Sequence, residues 1–124
     1  NKLKDLGIIQ NAIEFIVADL IQNNYLNETR FAQSFARGKF RIKKWGKVKI
    51  RRELNKREIS EYNIKMGMKE ISNSDYEETF NKLLDKKLSE LSHLSESEKK
   101  RKVLNYLSYR GWEVEKIFEA LRKI

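Results

Sequence analysis

Three stretches of the chain carry the same apolar spacing, and this repeat constrains the fold more than any single motif. Leu3, Ile8, Ile13, Val17 and Leu20 reappear 51 positions later as Leu54, Ile59, Ile64, Met68 and Ile71. A further step of 53 gives Leu107, Trp112, Ile117, Leu121 and Ile124. The spacing describes the end of one helix, a tight turn, and a helix with a one-sided apolar stripe. Gly7 and Gly111 hold the same turn slot, which Glu58 fills in the middle copy. Upstream, Phe31 and Phe35 match Phe80 and Leu84 at an offset of 49. The unit is therefore about 50 residues of three helices, and the first copy begins in its second helix. The expected fold is all-α: tandem three-helix, helix-turn-helix-like repeats in an elongated curved array, the first incomplete. The repeats span 1–26, 27–72 and 73–124.

Local signals agree with helices throughout. The chain contains no Pro, and no segment shows the alternation of a strand. Helices are expected near 1–6, 9–23, 28–43, 47–56, 61–72, 75–92, 96–109 and 114–123. Ser74 with Glu77, and Ser95 with Glu98, fit the capping box. Asn27 and Ser60 suit N-caps, and Gly7, Gly46 and Gly111 suit helix stops. The stripes send Val48, Ile50, Leu54 and Trp112 to the core, together with Phe31, Phe35, Phe80 and Phe118. Tyr25 and Leu26 are expected to pack where the first two repeats meet.

Charge is the first sign of a partner. The chain carries a net +9, and one segment accounts for all of it. Between Arg37 and Arg57 stand eleven basic residues and one acid, Glu53. A local block of this kind suits a polyanion, whereas evenly spread charge speaks only of solubility. The candidate contact residues are Arg37, Arg41, Lys43, Lys44, Lys47, Lys49, Arg51, Arg52, Lys56 and Arg57, with Lys39 in the same run. Lys49, Arg52 and Lys56 fall on one helix face, as do Arg37, Arg41 and Lys44. Trp45 sits among them, suited either to stacking on a base or to plugging the gap between repeats. Six to eight phosphate contacts would give a salt slope of about −5 to −7. An acidic protein surface, or solvent alone, could also face these cations.

Other chemistries find little support. There is no Cys, and His93 is the sole His, so thiolate chemistry and multi-histidine metal sites are excluded. Glu77, Glu78, Glu96 and Glu98 lie in first helical turns, where they favour the dipole. No GxxxxGK[ST] phosphate loop occurs, and no apolar run approaches the length of a bilayer span. The expectation is a soluble cytoplasmic monomer without cofactor, metal, membrane contact or catalytic activity.

The stretch Tyr25-Leu26-Asn27-Glu28-Thr29-Arg30-Phe31-Ala32, followed by Gly46, Ile50-Arg51-Arg52-Glu53-Leu54 and Ile59, resembles the middle repeat of the RecX family of RecA regulators. Tyr106-Leu107-Ser108-Tyr109-Arg110-Gly111-Trp112 and Ile117 resemble that family's closing Leu-x-x-Arg-Gly-aromatic motif. Asn27, Lys47 and Glu58 depart from the pattern, which usually has an acid, a Pro and a Gly there. The resemblance implies a modular repeat protein that binds RecA filaments on single-stranded DNA. It also implies inhibition of RecA's ATPase, strand exchange and co-protease functions, with no active site of its own. The alternatives are an independent helix-turn-helix protein that reads duplex DNA, and an adaptor whose basic face meets an acidic protein.

Overall fold

The computed structural model describes the backbone of residues 2–124 and the side chains of 11–19, 22–24 and 26–124. Among the described residues, six helices follow one another: α1 (Lys2–Lys43), α2 (Lys47–Lys56), α3 (Glu61–Met68), α4 (Asn73–Glu90), α5 (Glu96–Tyr109) and α6 (Val114–Arg122). The C-terminal half of α1 packs with α2 and α3 as one three-helix unit, and α4–α6 form the next. One core runs through both, from Ala32 and Ala36 through Ile50, Leu54 and Ile64 to Phe80, Leu107, Trp112 and Ile117.

The first correction concerns α1. Three helices were expected over its length, yet it is one helix of 42 residues. Gly7 does not stop it and Asn27 does not cap a new one. A helix-interior Gly costs only about 1 kcal/mol and does not break the hydrogen-bond ladder. Between Gly7 and Gly38 there is no Gly or Pro to end the helix. Ile13 and Val17 of the expected core stripe are about half exposed, at 49% and 48%, and Leu26 likewise at 47%. Leu3, Ile8, Leu20 and Tyr25 belonged to the same expectation, and their side chains lie outside the described residues.

The repeat register holds where two complete units can be compared. Residues 61–68 of α3 and 114–121 of α6 stand 53 apart. The turns before them share one hydrogen-bond pattern. Glu58 N–H donates to Asn55 O and Ile59 N–H to Leu54 O, while Gly111 N–H donates to Ser108 O and Trp112 N–H to Leu107 O. This is the Schellman cap, which requires a left-handed residue after the helix. Gly111 has φ 89° and Glu58 has φ 60°, so Glu58 adopts the glycine conformation despite its side chain. Lys44 (φ 58°) ends α1 in the same region, and Gly46, expected as a stop, is the N-cap of α2.

Ser60 and Ser95 cap α3 and α5, accepting from Asn63 and Glu98 N–H. For α4 the cap is Ser72, accepting from Asp75 N–H, and Ser74 lies inside the helix. Ser72 also has an acid three residues on, so both serines satisfied the spacing. Within the first unit, α1 and α3 approach closely at small residues. A Cβ on Gly67 would lie 2.8 Å from Ala32 O. Ser60 N–H donates to Glu28 Oε1 (2.9 Å) and Thr29 Oγ1 to Asn63 Oδ1 (2.5 Å).

The two units are joined backbone to backbone. Gly46 N–H donates to Arg110 O and Val48 N–H to Gly111 O, at 2.9 and 3.0 Å. Arg110 Nη1 reaches Lys43 O (2.8 Å) and Trp112 Nε1 reaches Lys44 O (3.1 Å). The Tyr76 ring stacks on Trp112 with centroids 4.4 Å apart. Its hydroxyl accepts from Lys47 N–H (2.9 Å) and donates to the Glu113 carboxylate (2.8 Å to Oε2). Tyr76 thus satisfies a first-turn N–H of α2 from the other unit.

Tyr76→Phe should leave that N–H and the carboxylate short of a partner, lowering stability in a urea melt by about 1–3 kcal/mol. Burial, reinforced by the Glu113 charge, pushes the Tyr76 phenol far above its ordinary value. The folded state therefore holds this proton after the unfolded chain has released it. Stability should fall as pH rises beyond about 10, and less steeply in Tyr76→Phe.

Candidate nucleic-acid interface

The basic segment divides according to how each cation is partnered. Arg37 pairs with Glu70, and Arg51 with Glu61 at 2.6 Å. Lys56 and Arg57 share Glu53 (3.6 and 3.1 Å). The Arg57 guanidinium, hydrogen-bonded to Glu53, holds that carboxyl below its usual range. These four are half committed to the fold. Among the described residues, Arg41, Lys43, Lys44, Lys47, Lys49 and Arg52 have no carboxylate within ion-pair reach.

Several cations rest on aromatic rings instead. Lys49 Nζ lies 4.5 Å from the Trp45 centroid and 5.0 Å from that of Tyr109. Lys39 Nζ is 4.9 Å from Trp45, and Lys47 Nζ 4.6 Å from Tyr76. Such contacts are worth about 0.5–1 kcal/mol at exposed sites. Unlike a carboxylate, a ring restrains the side chain without neutralising it. The charge stays available to a phosphate, and less side-chain entropy remains to be lost on binding.

Lys43, Trp45, Lys49, Tyr106, Tyr109 and Arg110 line one open concavity across the junction of the two units. Arg110 also borders the neighbouring one, where it joins Arg41 and Lys44 with Lys82 and Lys86 of α4. Lys47, Arg51, Arg52 and Lys56 line a third, together with Glu113. The expected face of Lys49, Arg52 and Lys56 is thus divided, because α2 turns Lys49 toward Trp45 and Tyr109. Arg37, Arg41 and Lys44 are divided as well, since Arg37 turns back to Glu70.

Trp45 is half-buried, its ring edge-on to Phe35 at 6.3 Å and packed against the core. The ring that stands in solvent here is Tyr109, 78% exposed. Tyr106, Tyr109 and Arg110 were not among the sequence candidates. Their signal was present: Tyr106 and Tyr109 sit i, i+3 in the last turn of α5, with Tyr109 on the side away from buried Leu107, and Arg110 is the helix C-cap. Three core expectations also fail. Val48, Phe31 and Phe118 are 47%, 44% and 44% exposed, while Ile50, Leu54, Phe80 and Trp112 are buried as expected. Among the described residues, no helix is long and apolar enough to cross a membrane.

This arrangement is found on a chain whose parts match known proteins in order. Residues 27–68 match the second three-helix domain of RecX, and residues 75–121 match the third. The chain belongs to the RecX family. The regulatory protein RecX of Pelodictyon phaeoclathratiforme is 33% identical over 98% of this chain and 74% of its own length. That of Pseudomonas savastanoi pv. phaseolicola is 28% identical over 97% of this chain and 76% of its own. The crystal structure of RecX from Lactobacillus salivarius superposes with a TM-score of 0.69 over 90% of this chain and 75% of that one, at 23% identity. It shares the fold of tandem three-helix RecX domains. The junction carrying Lys43, Trp45, Lys49, Tyr109 and Arg110 lies between the two matched RecX domains.

Proposed function

We propose that this chain is a non-catalytic regulator that binds RecA filaments on single-stranded DNA and inhibits RecA's ATPase, strand exchange and co-protease functions. The observation that carries the reading is the face at the junction of the two units. There, cations without carboxylate partners flank an exposed tyrosine. Phosphates would meet Lys43, Lys49 and Arg110, and an unpaired base would stack on Tyr109, a contact worth about 1–3 kcal/mol. The cytoplasm, where such filaments assemble, is the compartment that fits.

Rigidity serves this role. Because Lys43 and Lys44 carbonyls are pinned to Arg110 and Trp112, cations from both units keep a fixed spacing. A fixed array meets a regular filament without ordering itself first.

The reading is tested by titrating fluorescently labelled chain with RecA–DNA filaments and with the bare strand, at several salt concentrations. Filaments should bind more tightly than the bare strand. If all six unpartnered cations of the basic segment meet single-stranded phosphates, log K falls against log salt with a slope of about −4, and Lys43, Lys49 and Arg110 alone give about −2. Equal affinity for bare DNA would oppose a filament regulator, and a slope near zero would mean that these cations do not carry the contact.

A further inference from the structure

A second surface lies on the outer side of α5 and α6, away from the junction. Leu104, Phe118 and Leu121 form the floor of a groove of about 430 Å³, rimmed by Lys100, Arg101 and Arg122. Phe118 is 44% exposed, while Leu121 is buried at its base. Among the described residues, no acid lines the groove. Among the described residues, none of the three cations has a carboxylate within ion-pair reach.

The preceding repeat provides a control for this surface. Subtracting 53 places Leu104 on Arg51 and Phe118 on Lys65, while Leu121 falls on Met68 and Arg122 on Lys69. At this corner of the three-helix unit, two cations of one repeat, Arg51 and Lys65, are thus replaced by Leu104 and Phe118 in the other, while the apolar base and one flanking cation are kept. Arg51 there reaches across to Glu61, and Lys65 is exposed. The fold does not require apolar residues at 104 and 118, since the second repeat closes its core with Arg51 and Lys65 there. Exposing a Phe and part of a Leu costs solubility, and contiguous exposed apolar surface rimmed by charge marks a contact site.

We propose that the α5–α6 groove binds an acidic peptide segment of a partner protein, one with large apolar side chains at helical spacing. The floor takes the apolar anchors, as in helix-in-groove recognition, and the three cations meet flanking Asp or Glu. A nucleic acid fits less well, because the leucines offer no hydrogen bond to a base edge. A second copy of this chain fits poorly too, as it would bring two cationic rims together. The surface shares no residue with the junction face, so this inference stands apart from the filament-binding reading.

A displayed library of random 12-residue peptides is panned on the immobilised full chain, and selected peptides are measured by fluorescence anisotropy. The expected peptides carry Leu, Phe, Ile or Trp at i, i+3 or i+4 among Asp and Glu, and their binding weakens with salt. Leu104→Arg with Phe118→Lys, which gives the third repeat the second repeat's residues, should weaken binding on the order of tenfold or more. Lys100→Glu with Arg101→Glu and Arg122→Glu, all surface changes, should do the same if the first variant loses its cooperative melt. No enrichment, selected peptides without acids, or affinity unchanged by the variants would overturn the proposal. So would competition by oligo(dT), or a dimer in ultracentrifugation that Leu104→Arg with Phe118→Lys dissolves.

Discussion

Gly111→Ala should destabilise the protein by about 2–5 kcal/mol in a urea melt, a large part of the roughly 5–15 kcal/mol by which a domain is folded. Two costs add at this position. A residue with a Cβ at positive φ loses about 1–2 kcal/mol, and Gly111 has φ 89°. The new Cβ would also lie 2.1 Å from the Lys49 Cβ and 2.6 Å from Lys49 N. Overpacking against backbone costs a further 1–3 kcal/mol or so. Gly46→Ala lacks the first cost, because its φ of −77° suits any residue, and keeps the second, an overlap with Gly111 O at 2.3 Å, Gly111 C at 2.5 Å and Trp112 Cα at 2.6 Å. Glu58→Gly gives the opposite sign. It relieves the left-handed strain, and the added chain entropy of Gly offsets only part of that gain, so stability should rise by up to about 1 kcal/mol. If Gly111→Ala were as mild as an exposed loop change, the close seam between the two units would be wrong.

The second large effect concerns binding. Replacing Lys43, Lys49 and Arg110 together by Gln should weaken binding to RecA–DNA filaments roughly a thousandfold. Each charge-assisted contact is worth roughly 1.5 kcal/mol or above, and 1.4 kcal/mol corresponds to about tenfold in affinity. Tyr109→Ala alone should cost about tenfold through lost stacking, with little change in stability because its ring is 78% exposed. Arg37→Gln and Arg51→Gln should show the reverse balance. Their guanidinium groups already meet Glu70 and Glu61, so binding should change little. Equal binding losses from the partnered and unpartnered cations would mean that net charge, and not this face, sets the affinity.

Much of the fold is legible in the sequence because the repeat is copied at fixed spacing. The stripe places Ile64, Ile117 and Leu121 in the core, and the turn slot identifies Glu58 with Gly111 before either φ is known. The fate of α1 is not legible, because a turn motif acts only where a partner helix packs against the next segment. Phe31 and Phe118 mislead for a related reason. Helical spacing shows which residues share a face, but not whether another element covers it. The basic segment announces itself by count, yet its division into partnered and available cations depends on Glu61 and Glu70 arriving from α3 and the turn after it. Trp45 could be weighed either way in sequence, and contact with Phe35 accounts for its burial. Tyr109 and Arg110 join the face only because Gly46 and Gly111 let the two units meet, a contact spanning more than sixty positions.

The most direct test of a filament regulator is the ATPase of RecA preassembled on single-stranded DNA, titrated with this chain while free DNA is kept in excess. The account predicts inhibition well below one chain per RecA, persisting as free DNA is raised and lost with the Lys43, Lys49 and Arg110 replacements. Inhibition that disappears as free DNA rises, or that the triple replacement leaves at full strength, would contradict it.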